Sequence, residues 1–235
     1  MLSFIKYLLT GFFIFFLIVD NYAQDLTRAI AEYEIIYSYS IDRSGVDQDR
    51  DIPPNFIKMA KAAEEIASNL EGRLIFSNKN SVYWSPEGVA RKNKEDGLAN
   101  ILVSADQKYY YSHPQGILYI EKMMFGKKSH FKDDRIIVWE VLSDQTVING
   151  LVCRKAIGTF KTEGWNDTEV KVWFALDLPF PFGPVDTYGL PGVILKYQLA
   201  SLVITARSIR RIPDKSEEIV IPDFGDVPSF SESVR

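Results

Sequence analysis

Apolar and polar residues alternate along much of the chain. The pattern is clearest in residues 31–41, where Tyr33, Ile35 and Tyr37 fall on one side, and it recurs in residues 168–176. A period of two is typical of β-strands that bury one face. The other segments predicted to be strands are residues 73–77, 81–84, 108–113, 117–125, 135–143, 151–156, 193–200 and 202–209.

One segment instead has the period of an amphipathic helix. Phe56, Met59 and Ala63 fall on one face of residues 55–70, and Gly72 follows as a stop signal. The polar segment 85–100 contains two glycines and is predicted to be a loop.

The order of these elements predicts the fold class. The strands follow one another with short links, including the hairpin signal Asn149-Gly150, and no repeated crossover helices are available for a parallel sheet. The predicted fold is therefore mainly β with a minor α part. We expect a large curved antiparallel sheet or an open β-barrel, with one amphipathic helix packed against it.

The two ends of the chain differ from this pattern. Residues 1–23 are predicted to be a secretory signal peptide, because Lys6 precedes an apolar run and Ala23 suits cleavage. That run is shorter than the roughly 20 residues of a spanning helix, so no transmembrane segment is expected in the mature chain. Residues 24–212 are predicted to form a single domain, followed by an extended or disordered tail over residues 213–235. The expected location is the periplasm, with outer-membrane-associated or extracellular locations as alternatives.

Charge and cysteine content restrict the ligands and the covalent links that we expect. The formal net charge is −4 and both signs are interspersed, which gives no electrostatic case for nucleic-acid binding. Cys153 is the single cysteine, so an internal disulfide is impossible, and the residue is predicted to be a small buried apolar side chain.

The sequence offers no constellation that predicts catalysis. His113 and His130 are the two histidines, and neither stands in a recognisable nucleophile context. No phosphate-binding glycine loop is present, so we predict no catalytic residue and no cofactor. His130, Asp133 and Asp134 could supply a mixed nitrogen and oxygen metal site, but a charged turn explains the aspartates more simply.

A glycine-proline-glycine turn precedes the strand at residues 193–200. Pro191 suits the second position of a type II turn, Gly192 is predicted to supply the positive φ of the third, and Gly189 allows close approach of another group. The motif reads Gly189-Leu190-Pro191-Gly192-Val193-Ile194.

This motif resembles the one that names the GLPGLI family of exported bacterial envelope proteins, with Val193 in place of the usual leucine. Residues 148–156, Trp173-Phe174 and Gly183-Pro184 are similar to further family segments in order and spacing. The resemblance covers residues 135–200. It implies an exported envelope protein, with no established biochemical activity and no catalytic residues to carry over, and the motif itself is interpreted as a structural turn.

Strand-borne aromatic residues are the remaining signal. They are interpreted as a concave apolar surface for a ligand, the alternative being core packing with scattered exposed side chains. The candidate ligand-surface residues are Tyr37, Tyr39, Tyr110, Tyr119, Trp139 and Trp173.

Three hypotheses for function follow. The first is a non-enzymatic envelope protein that binds lipid or acyl chains on a curved sheet, in the manner of periplasmic lipoprotein carriers. The second is an accessory module that docks on an outer-membrane transporter through a sheet edge or the proline-rich residues 179–184. The third is a cryptic hydrolase or a metal-binding protein.

Overall fold

The structure, a computed structural model, describes residues 32–42, 44, 54–85, 93–124, 126–162, 166–212 and 219–233. The predicted signal peptide lies outside the described residues. The strands are β1 (Glu32–Ile41), β2 (Glu71–Phe76), β3 (Asn80–Trp84), β4 (Gln107–Ser112), β5 (Ile117–Met124), β6 (Lys127–Lys132), β7 (Ile136–Ile148), β8 (Leu151–Lys161), β9 (Thr168–Ala175), β10 (Val193–Leu199) and β11 (Leu202–Ile212). The helices are α1 (Pro54–Ser68), α2 (Lys94–Leu102) and α3 (Phe230–Ser233).

All eleven strands belong to one antiparallel sheet, in the order β6-β5-β4-β3-β2-β1-β11-β10-β9-β8-β7. β1 lies at the centre, and the chain runs outward from it to β6 and returns through β7 to β11. This confirms the predicted fold class: the fold is mainly β with few helices, and it is built on one large antiparallel sheet.

The two edge strands, β6 and β7, are consecutive in the chain and are joined by residues 133–135. A link of this length spans about 14 Å when fully extended, so the end of β6 must lie close to the start of β7. No ladder joins β6 to β7 in the described part of the chain. The sheet is therefore curled but not closed.

The inner face of this curled sheet carries the main core. Ile35, Leu74 and Tyr197 are buried there, and Ala63 of α1 and Ala99 of α2 belong to the same cluster. The predicted amphipathic helix is thus confirmed as α1, and α2 packs beside it. Of the helices among the described residues, none combines the length and apolar character needed to cross a bilayer.

The helix α2 corrects the prediction for residues 94–100 of the loop predicted over residues 85–100, of which residues 86–92 lie outside the described residues. Asn93 caps this helix: its side chain accepts a hydrogen bond from the Asp96 backbone N–H at 2.7 Å, and the Asp96 carboxylate accepts one from the Asn93 N–H at 3.2 Å. Reciprocal capping satisfies two otherwise unpaired donors at a helix start. The segment contains two glycines and many polar residues, so its helical periodicity is too weak to predict a helix.

The strand β6 was also missed. Its sequence, KKSHFK, has almost no apolar alternation. Because β6 is an edge strand, it needs a partner on one side only, and lysines on an edge discourage pairing with other chains. Here β5 supplies the partner, with His130 opposite Glu121.

The described part of the tail is extended and lies against the outer face of the sheet. Ile219 is buried beside Val82 and Tyr110, and Ser229 makes a parallel bridge with Lys132 of β6. The segment then ends in the single turn of α3.

Replacing Asn93 with alanine is expected to lower the free energy of unfolding by about 1 kcal/mol, because the capping acceptor is lost. Gly97→Ala in the same helix meets no atom within 4 Å and is expected to raise it by about 1 kcal/mol. Urea unfolding of the two variants measures both shifts. An unchanged midpoint for Asn93→Ala would contradict the capped helix.

Candidate functional site

The loop between β9 and β10, residues 176–192, folds onto the inner face of the sheet. Phe182 is fully buried, and its carbonyl accepts a hydrogen bond from the Ile194 N–H at 2.9 Å. The rings of Phe180 and Phe182 lie 5.2 and 5.6 Å from that of Phe76 on β2. The loop therefore connects the returning half of the sheet, β7 to β11, with the outgoing half, β2 to β6.

The glycines of the motif have roles opposite to those predicted. Gly189 has φ +91°, whereas Gly192 is not among the residues with positive φ. A Cβ on Gly192 would lie 2.7 Å from the carbonyl carbon of Ala175 and closer still to its oxygen. Gly192 is thus required for close backbone approach, and Gly189 for the left-handed conformation.

The rest of the motif anchors the turn. Leu190, Val193 and Ile194 are buried, whereas Pro191 is exposed. Beside Gly189, the Trp139 indole N–H donates a hydrogen bond to the Tyr188 carbonyl at 2.9 Å.

A buried ion cluster holds the same loop from its other side. Arg135 donates to both carboxylate oxygens of Asp133, at 2.8 and 2.7 Å, and to one oxygen of Asp186 at 2.8 Å. Its guanidinium lies 4.7 Å from the ring centroids of both Phe160 and Phe230. Only the charges at residues 133–135 indicate this cluster in the sequence, because Asp186 is 51 positions away from Arg135.

Two features of the cluster are unfavourable: Asp186 is a buried carboxylate, and the residue before it has a strained backbone. Burial raises the pKa of Asp186, and the Asp133 carboxylate adds to this effect while Arg135 opposes it. The other oxygen of Asp186 is buried without a hydrogen-bond partner. The preceding residue, Val185, has φ +57°, which is rare for a β-branched side chain.

The six aromatic residues predicted to form a ligand surface do not lie together. Tyr37 and Tyr39 are buried on the inner face, where Tyr37 donates to the Ile194 carbonyl at 2.7 Å and Tyr39 shares a hydrogen bond with Tyr83 at 2.9 Å. Trp139 packs against the same core.

The other three aromatic residues lie on the outer face. Tyr110 and Tyr119 are opposite each other on β4 and β5, and their ring centroids lie 5.4 and 5.2 Å from that of Phe224 in the tail. Trp173 lies on β9, between Lys155 and Lys196, and is partly buried against the main core cluster.

A groove of about 490 Å³ runs between the tail and this outer face. The Asn80 amide donates to the Ile219 carbonyl at 2.9 Å, and the His130 ring lies 4.7 Å from that of Phe224. The groove is lined by Asn80, Ser112, Gln115 and Tyr119 from the sheet and by residues 219–225 from the tail.

The residues considered for metal binding or hydrolysis have other partners. His130 lies 3.3 Å from Glu121, Asp133 pairs with Arg135, and Asp134 accepts hydrogen bonds from Ser231. No group of three His, Cys, Asp or Glu residues that could hold a metal occurs among the described residues.

His113 is exposed just after β4, whereas Cys153 is buried on β8. The His113 ring contacts those of Tyr111 and Phe182. Cys153 is free and buried as predicted, and burial raises the pKa of its thiol to about 11. A thiol with so high a pKa is a poor nucleophile near neutral pH.

Comparisons with known proteins bear on the fold. No protein-family model matches the chain, and no curated protein matches it. The chain is similar to the solved structure of PNGF-II in a P21 crystal form, with a TM-score of 0.52 and 16% identity. The match covers 87% of this chain and 32% of the PNGF-II chain, so this chain spans about a third of that protein's length. A likeness at this identity shows the fold alone.

Gly192→Ala is expected to destabilise the protein by roughly 1–3 kcal/mol, because the new methyl group would collide with the Ala175 carbonyl. Thermal and urea unfolding measure the loss, with Gly97→Ala as the control that adds the same methyl group in open space. A Gly192→Ala protein as stable as the parent would contradict the close approach.

Proposed function

We propose that the protein is an exported envelope protein that binds an apolar ligand, such as a lipid or acyl chain, between its tail and the outer face of the sheet. The groove over β3, β4 and β5 carries this proposal. Its volume of about 490 Å³ falls within the roughly 300–1,000 Å³ typical of small-molecule sites.

The lining is more polar than apolar, and its apolar part suits the body of a ligand that also has a polar end. Ile221 and the rings of Tyr119 and Phe224 supply apolar surface. Ser112 and Gln115 supply polar groups that could bind a headgroup. Export is supported by the predicted signal peptide, and the periplasm is the location that we favour.

The inner face is the less suitable surface for such a ligand. The loop of residues 176–192 lies there, and Phe182 and Leu190 are part of the core. Tyr37 and Tyr39 use their hydroxyl groups in hydrogen bonds within that core. An apolar ligand would have to displace these contacts, whereas the outer groove is open.

Ile221→Asp tests this proposal, because it places a charge among the apolar side chains of the groove. We expect binding of an uncharged fluorescent acyl ester to weaken by about tenfold or more, and lipid extracted with the purified protein to be lost. Val152→Asp on β8, where the side chain is 51% exposed and outside the groove, is the matched control. Absence of both extracted lipid and ester binding in the parent protein would overturn the proposal.

A second candidate function, an accessory module on an outer-membrane transporter, is favoured by the edge strand β7. This strand is 13 residues long, and no strand of the described chain pairs with its outer edge. Ile136 and Val138 are 67% and 51% exposed. Long apolar edges pair readily with strands of other proteins.

Val138→Lys should remove such pairing, because a charge on an edge strand opposes strand addition. In pulldowns from the native envelope, we expect the parent to recover a transporter in stoichiometric amount and Val138→Lys to lose it. Val152→Lys, at the same 51% exposure on the neighbouring strand, should retain it. Recovery of no stoichiometric transporter by the parent would remove this candidate.

A further inference from the structure

Trp173 lies between two lysines on the outer face of the returning half of the sheet. Lys155 on β8 and Lys196 on β10 are its register partners on either side. Their ammonium nitrogens lie 5.8 and 4.6 Å from the indole centroid. Since residues opposite each other in an antiparallel ladder share a face, the three side chains form one row.

Neither ammonium group has a carboxylate within salt-bridge distance among the described residues. Other lysines on the sheet do, since Lys128 lies 3.0 Å from Glu121. Asp42, which interacts electrostatically with Lys196, instead accepts hydrogen bonds from the Ser44 N–H at 2.9 Å and the Gln198 amide at 3.3 Å. Among the described residues, the row thus holds two like charges against one ring, and Asp42, the electrostatic partner of Lys196, makes no salt bridge with it.

We propose that Lys155, Trp173 and Lys196 form a binding site for an oxyanion group such as phosphate, whose attached moiety lies on the indole. An oxyanion bound by both ammonium groups would offset their positive charge and accept charge-assisted hydrogen bonds from them. Each lysine is already held over the indole by a cation–π contact, which limits the freedom lost on binding. Thr205, the next residue of the row on β11, offers a hydroxyl donor beside Lys196.

The site does not depend on the acyl-binding proposal. The groove lies over β3, β4 and β5, whereas this row crosses β8, β9 and β10. The oxyanion can come from a free phosphorylated molecule or from the headgroup of an anionic lipid, and the experiment must separate these sources.

The first arm follows the Trp173 indole N–H signal by NMR, assigned with Trp173→Phe, while inorganic phosphate is added at constant ionic strength. We expect a saturable shift in the parent protein. In the double variant Lys155→Gln/Lys196→Gln the affinity should fall by about tenfold or more. Lys108→Gln is the matched control, because Lys108 also lies over a tryptophan, at 5.1 Å from Trp84, but alone.

The second arm measures sedimentation of the protein with vesicles of phosphatidylcholine alone or with phosphatidylglycerol added. Sedimentation that needs phosphatidylglycerol and both lysines identifies a headgroup as the source. A phosphate shift without sedimentation identifies a free anion. No saturable shift in the parent, or the same affinity in the double variant, would overturn the site in either case.

Discussion

Arg135 is the residue on which the arrangement of this protein depends. It lies in the link of residues 133–135 that joins the two edge strands, and it binds Asp133 within that link and Asp186 in the loop on the inner face. Phe160 of β8 and Phe230 of the tail cover its guanidinium. One cation therefore joins the sheet edges, the inner loop and the tail. Because charges removed from water need partners, breaking such a buried pair typically costs about 3–5 kcal/mol.

The inner loop has a strained conformation, and the ion cluster explains how it persists. A left-handed backbone at a residue such as Val185 costs about 1–3 kcal/mol and survives only where the surroundings determine it. Asp186 follows at once and is bound to Arg135, and Thr187 donates to the Pro184 carbonyl at 2.7 Å. The loop then places Phe182 in the core and Gly192 against Ala175. Because the protein fills its own inner face in this way, the proposed ligand site lies on the outer face.

Periodicity predicted the elements whose burial is one-sided, such as β1 and β9, and the hairpin at Asn149-Gly150, where both residues have positive φ. It failed where burial is slight, as in the polar edge strand β6, or where a cap rather than a pattern starts a helix, as at Asn93. It assigned positive φ to Gly192 because turn chemistry is local, while the carbonyl that excludes a side chain there comes from β9. Alternation also shows which residues share a face, but not which face a curled sheet turns inward. That is why alternation predicts one surface for the six aromatic residues, whereas the structure divides them between two faces.

The outer face carries two regions of different chemistry. Tyr119 on β5 belongs to an aromatic groove under the tail, and Trp173 on β9 belongs to a row with two lysines. Six strands separate β5 from β9 through the centre of the sheet, and three strands and the open seam separate them the other way. At about 4.8 Å per strand, even the shorter path exceeds roughly 19 Å. A small ligand held in the groove would therefore not reach Lys155 and Lys196, so the two proposed sites would take separate ligands or separate parts of one extended partner.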